Sequence, residues 1–388
     1  MVAIDMHAHV SVPALEALLA SSPDHVEQLR RDAESLGPQS MAYNVKQLSV
    51  LGPALNDADL RLAWMDHANI DVQAVSPVPL PHSWAGQTLA SQIVATTNAA
   101  VAEHCARAPH RLKGIGTVSL QHAELAADQL RQAVNDHGLV GVQISTTAGP
   151  RELDHPSLNS FWECAVQLDV PVLIHPWGCT LGARLNLGYM FNTVGNPTET
   201  TIALSRIIFG GVLDRYPALR IWGAHGGGYL PSCAGRADHA WRTRSDARTC
   251  RELPSSYLRR MWFDSLVYDD HNLQHLATSI GPEQITLGSD YPFDMGVTDL
   301  VARVQRSGLS SYGIKAICED SAVALLGPNA LGGSAVSVLG AGPRAVSSRR
   351  FSCAWFTLRD RVLRERCCRC RSRGGGTPRR WTPTARID

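Results

Sequence analysis

Lysine is almost missing from this chain: of 388 residues only Lys46, Lys113 and Lys315 carry an ammonium, and arginine supplies the remainder of the 36 basic side chains. That bias reads as the mark of an arginine-favouring, GC-rich coding background. No uninterrupted apolar run approaches the roughly 20 residues that a membrane helix needs, so no spanning helix is expected. Missing too is a basic segment followed by an apolar one at the start, where Asp5, His7 and His9 stand instead; no export signal is expected, and the expected location is cytoplasmic. Matched CxxC pairs are absent. Six of the ten cysteines are scattered singly and the other four (Cys353, Cys367, Cys368, Cys370) lie near the C-terminus, a distribution that favours reduced thiols over a disulfide framework or zinc ribbon.

A balanced charge is only apparent. The formal +1 conceals 13 arginines against three acidic residues after residue 342, which leaves the preceding chain acidic by about nine. A nucleic-acid partner is not expected of such a body, and a small molecule is. Beyond Gly327 the composition turns to Gly, Ser and Ala and then to Arg and Cys, as in RSRGGGTPRRW. This tail, 328–388, is expected to lack stable structure. A shifted reading frame and a genuine basic arm are its two readings.

What is present is alternation. Short β-rich apolar runs recur at 2–9, 70–76, 113–119, 139–145, 170–176, 219–225, 260–265 and 284–290. Between them, segments such as LASQIVATTNAAVAEHCARAP and AELAADQLRQAVNDHG carry apolar residues at helical spacing. Eight strand and helix units predict a (β/α)8 barrel over residues 1–327. The rival, a doubly wound open sheet, would normally show a glycine-rich phosphate turn after its first strand, where this chain reads HAHV. Residues 11–59, interrupted by Pro, Gly and Gln, read as an irregular insertion forming part of a cap over the barrel mouth.

Strand periodicity puts residues i, i+2 and i+4 on one face, so Asp5, His7 and His9 are expected to point together into the barrel or its mouth. A pair of imidazoles there suits a divalent metal. VPVLIHPWG puts His175 at the end of the fifth strand, IWGAHGGG puts His225 at the end of the sixth, and ITLGSDYPF puts Asp290 at the end of the eighth. Barrel enzymes keep their active sites at these strand ends. Any one histidine alone is more often a satisfied core residue; His7, His9, His175, His225 and Asp290, converging from four strands, point to an open catalytic metal site. Zinc fits two or three histidines with one carboxylate, and manganese or iron could occupy the same set. His225 need not be a ligand and could act as general base or acid. Trp177 and Phe293 follow metal-site positions and could sandwich a flat conjugated substrate, or simply pack. Asp264, ending the seventh strand, either lines the mouth or serves as a polar cap.

With IDMHAHV, LIHPWG, FGGVLDRYPALRIWGAHGGGYLP and LGSDYPF in view, the chain resembles the amidohydrolase superfamily, and within it the aminocarboxymuconate-semialdehyde decarboxylase branch of metal-dependent, non-oxidative decarboxylases. WMDHANIDVQAVSPVP and GNPTETTIALSRIIFGGVL are similar to that branch too, and the likeness runs to about residue 327. The resemblance implies one divalent metal, zinc first and manganese as the alternative, held by His7, His9, His175 and Asp290. It implies that His225 manages the catalytic proton, with Asp290 sharing the catalytic role, and that Asp5 supports a ligand from behind. Arg236 in GGGYLPSCAGR would bind substrate carboxylate across a homodimer interface. Where the family carries a second substrate-binding arginine, this chain reads AYNVKQLSVLGP, with only Lys46 nearby. The activity implied is decarboxylation of a small conjugated carboxylate, either carboxymuconate semialdehyde-like or a carboxylated phenol, in aromatic catabolism. Hydrolysis or hydration by the metal's water is the alternative.

Overall fold

The computed structural model describes residues 1–327 apart from Ser21, Leu80 and Pro81; the tail expected to be unstructured lies outside the described residues. Eight parallel strands follow one another in sequence order around the sheet: β1 (Ile4–Val10), β2 (Val72–Pro77), β3 (Leu112–Thr117), β4 (Gly141–Ile144), β5 (Val172–Ile174), β6 (Ile221–Gly223), β7 (Trp262–Asp264) and β8 (Ile285–Thr286). Each overlaps a predicted strand. Closure is made by β1 against the end of β8, with Met6 N donating to Leu287 O at 2.9 Å and His9 N to Tyr291 O at 2.8 Å.

Helices α1 (Ala14–Leu19), α2 (Pro23–Asn56) and α3 (Ala58–Ala68) fill the stretch between the first two strands. Then come α4 (Gln87–Ala106), α5 (Ala123–Asn135), α6 (Asn159–Gln167), α7 (Asn196–Phe209), α8 (Val212–Arg215) and α9 (Leu230–Thr243). The series ends with α10 (Pro254–Leu258), α11 (Asp270–Ile280), α12 (Leu300–Arg306), α13 (Ser311–Lys315) and α14 (Ser321–Leu326). No helix among the described residues is long and apolar enough to cross a membrane, and their six cysteines are free.

Two apolar layers hold the barrel. Inside it, Ile4, Met6, Val72, Ala74, Ile115, Leu173, Trp222 and Ala224, drawn from five strands, meet Leu325 and Leu326 of α14, which plug the floor. Burying such a leucine stabilises by roughly 1.5–3 kcal/mol. Outside, Val75, Val142, Ile144, Val172, Ile174, Ile221 and Phe263 pack under the helices.

The insertion differs from its expectation: it is helical through most of its length. Ser22 caps α2, accepting from His25 N, and Pro23 occupies the first turn, where its missing N–H costs nothing. Gly37 interrupts the helix at φ +74, and a Cβ there would lie 2.4 Å from Asn186 O. The glycine thus makes a kink where backbone meets backbone, and Pro38 starts the next run. Glycine and proline, which suggested irregularity along the sequence, mark the joints of a kinked helix.

Candidate metal centre

A second departure lies in β1. Asp5 pairs with Gln73 and Ala8 with Val75, so three residues on β1 are matched by two on β2. This bulge moves Asp5 and Ala8 to one side of the wall and His9, opposite Ser76, to the other. Strict alternation would keep Asp5 with His7 and His9; the extra residue turns it toward the helix side instead. There its carboxylate accepts from His7 N (3.1 Å), Ser289 N (3.0 Å), Gln73 Nε2 (2.8 Å) and the Ser289 hydroxyl. Burial pushes the Asp5 carboxyl up against those bonds.

On the mouth side, the Nε2 atoms of His7 and His9 lie 3.1 Å apart, and those of His175 and His7 also 3.1 Å apart. Asp290 Oδ1 stands 3.1 Å from His9 Nε2 and 3.8 Å from His7 Nε2. All four residues are buried. The rear nitrogens are engaged. His7 Nδ1 meets Asp264 Oδ2 at 2.7 Å, His175 Nδ1 meets Pro176 O at 2.8 Å, and His9 Nδ1 meets Ser76 Oγ at 3.2 Å. When all three rings are neutral, with their protons on those rear nitrogens, three Nε2 lone pairs face one another. That neutral arrangement offers its lone pairs to a cation. Bonds of 2.0–2.1 Å in tetrahedral array require nitrogens about 3.3 Å apart, so the donor set fits a divalent ion with little movement.

Burial lowers the His9 and His225 imidazoles and holds His175 well below the usual histidine range, which keeps these rings neutral. His7 is the exception, for burial lowers it but the adjoining Asp264, with Asp290 and Asp5, more than compensates. Asp264 and Asp290 are pushed up by burial and brought below the ordinary carboxylate range by the imidazoles around them.

Asp264 is more than a polar rim or cap. Besides His7 it accepts from His225 N at 2.7 Å, Gly226 N at 2.9 Å and Leu266 N at 3.0 Å, tying the glycine loop to His7. Its position at the end of WFD was visible in the sequence; its partner, 257 residues away, was not. His225 sits with its ring centroid 5.0 Å from that of His175 and 5.3 Å from that of His7, and its buried Nδ1 has no hydrogen-bond partner. His225 and Asp290 both adopt φ +55, a left-handed backbone uncommon outside glycine.

Among the described residues, two cavities border the cluster. One of about 260 Å³ is lined by strand-end residues including Ser11, Thr117, Gln143, His175 and Trp177, with Leu19, His25 and Leu48 from the insertion. The other, about 460 Å³, lies beside His225 and the glycine loop, between Asn196 and Asn272. Trp177 donates to Asp32 of α2 at 3.1 Å, and the Phe293 ring is 5.5 Å from that of His9. Arg236, exposed on α9, lines neither cavity. Lys46 is likewise exposed on α2.

Comparison with known proteins shows likeness in sequence and in fold. The model of a family described as amidohydrolase matches residues 4–327. A 2-amino-3-carboxymuconate-6-semialdehyde decarboxylase from Dictyostelium discoideum is 34% identical over 280 residues, covering 71% of this chain and 76% of that protein. Among solved structures, 5-carboxyvanillate decarboxylase from Sphingomonas paucimobilis superposes with a TM-score of 0.72 at 23% identity, over 84% of this chain and 98% of the other. A dihydroxybenzoic acid decarboxylase from Polaromonas, holding manganese and the inhibitor 2-nitroresorcinol, gives 0.71 at 24% identity over 84% and 97%.

Proposed function

The chain belongs to the amidohydrolase family, and on that premise we propose that it is a metal-dependent, non-oxidative carboxy-lyase releasing CO2 from a small conjugated carboxylate. One observation carries the reading: three imidazoles are engaged behind and open in front, with a carboxylate beside them and an uncommitted histidine next to them. We assign His7, His9, His175 and Asp290 as ligands. For the ion we propose zinc, which suits this donor set; manganese, present in the Polaromonas structure, is its competitor. When bound, the ion would polarise an oxygen of the substrate.

The protein's own groups supply the rest. Decarboxylation needs a proton on the carbon that bears the carboxylate; the C–C bond then breaks, its electron pair returns to the conjugated system, and CO2 leaves. We assign that proton to His225, whose neutral ring can hold it at one nitrogen and accept at the other. Asp290 Oδ1, beside the cluster, is the second group in that transfer. Trp177 and Phe293 would flank a flat substrate. Relatives named for carboxymuconate semialdehyde, carboxyvanillate and dihydroxybenzoic acid share a carboxylate on a conjugated skeleton, which supports that substrate class and a place in aromatic catabolism. Arg236, exposed on its own protomer, would reach substrate only from a second copy, so its assignment goes with a homodimer. We propose residues 1–327 as the catalytic unit, acting in the cytoplasm on a small molecule rather than on nucleic acid or membrane.

The test is to load the protein with metal, supply carboxymuconate semialdehydes and phenolic acids, and follow CO2 together with product mass. CO2 release without gain of water is the expected result. A product that has gained water overturns the lyase and favours a hydrolase or hydratase at the same centre.

A further inference from the structure

Behind β1 lies a charge with no acidic partner among the described residues. Arg61 of α3 is wholly buried, yet among the described residues no carboxylate touches its guanidinium. Nε donates to His104 Nε2 at 3.0 Å, Nη1 to Gln73 Oε1 at 2.7 Å, and Nη2 to the backbone carbonyl of His9. The cation also stands 4.9 Å from the centre of the Tyr291 ring. A buried cation is costly to keep, and an apolar side chain would fill the same space between helix and sheet more cheaply.

Its contacts show what the charge reaches. Gln73 takes a hydrogen bond from Arg61 at one end of its amide and gives one to Asp5 at the other, 2.8 Å away. Arg61 and Asp5 are therefore opposite buried charges joined through one neutral amide. From Asp5 the connections run to His7 N and to Ser289, the residue before Asp290. Directly, Arg61 holds the carbonyl of His9 and packs against Tyr291, the residue after Asp290. Three of the four assigned ligands thus hang from a single polar seam on the helix side of the wall. The fourth, His175, is outside it.

We infer that Arg61 is a positioning residue for the metal centre, acting through Gln73, Asp5 and the His9 carbonyl to fix where His7, His9 and Asp290 point. This rests on the assignment of those residues as ligands and not on the identity of the reaction. Groups that orient ligands from behind typically contribute 10–100-fold to metal affinity. A planar guanidinium serves three differently directed acceptors, as a lysine ammonium on a single flexible stem cannot.

The test uses the full-length apo protein and cobalt(II) as probe, titrated against a chromophoric chelator and read by its visible absorption, with apo melting temperature measured alongside. Arg61→Met is expected to lower cobalt affinity 10–100-fold and alter the absorption bands, and Arg61→Lys to recover only part of the affinity. Gln73→Leu keeps the cation and cuts the relay; it carries the test if Arg61→Met does not fold, and the same direction of loss is expected. Affinity within threefold of the parent with unchanged bands in the folded variants, whatever their melting temperature, would overturn the inference and leave Arg61 a packing residue. No substrate enters the measurement. A parent protein that binds cobalt normally but releases no CO2 would sink the lyase alone.

Discussion

His7 and Asp264 form a buried pair, Nδ1 to Oδ2 at 2.7 Å, that joins the first strand of the barrel to the seventh. The carboxylate fixes which imidazole nitrogen carries the proton and so leaves Nε2 free to face the cluster. Asp264→Asn keeps the shape but forfeits the charge and offers only one accepting atom. Metal affinity is expected to fall 10–100-fold, measured by chelator competition; an unchanged affinity would remove Asp264 from the centre.

Ligand and proton-handling roles separate by substitution. His175→Ala should abolish stoichiometric metal uptake, as read by elemental analysis of the purified protein. His225→Gln should retain most of the metal and lose turnover by 10²-fold or more, in keeping with the loss of an acid–base group. If His225→Gln loses metal as His175→Ala does, it is a ligand and the proton belongs elsewhere.

Gly228 turns the loop after His225 at φ 65 and ψ −127, with Pro197 O only 2.3 Å from where a Cβ would stand. Gly228→Ala is expected to cost roughly 1–3 kcal/mol from the backbone conformation alone, and more from the clash with a rigid carbonyl. Chemical denaturation with and without metal reads this effect, and a variant as stable as the parent would contradict it.

Acid should weaken the fold through His104. Burial, then the charge of Arg61, lowers its folded pKa to about 4 from the ordinary histidine value of 6.5. Below pH 6.5 the unfolded chain takes up a proton that the folded chain refuses, so the contribution is complete above 6.5 and lost as pH falls toward 4. Linkage puts the loss at about 2 kcal/mol by pH 5. Urea unfolding of the parent and of His104→Gln at pH 7.5 and pH 5 checks it: the difference between the two proteins should shrink on acidification.

Truncation after Gly327 should leave both melting temperature and turnover unchanged, since α14 already closes the barrel floor with Leu325 and Leu326. A truncated chain that loses activity would assign the Arg-rich segment a working part.

The barrel and most of its mouth could be read along the chain because strand and helix periods differ and because His175, His225 and Asp290 each sit just past an apolar run. What escaped was relational. Nothing in IDMHAHV announces that one extra residue turns Asp5 away from His7, since a bulge is defined by the partner strand. Asp264 could be found but not joined to His7, and Arg61 reads in DLRLAWMDHA as an ordinary helix arginine until its three acceptors come together in space. Gly37 and Pro38 could be seen, yet only the packing against Asn186 makes them a kink.

The bulge in β1 has a consequence for how such a protein can change. Because the strand shows its imidazoles to one side and Asp5 to the other, the chemistry and its foundation occupy opposite sides of a single polypeptide layer. With Trp177 and Phe293 flanking the substrate as proposed, substitutions around them would reshape what the mouth accepts while the seam of Asp5, Gln73 and Arg61 goes untouched. The layer works like a panel with its instruments in front and its wiring behind, and the front can be revised while the wiring stays in place.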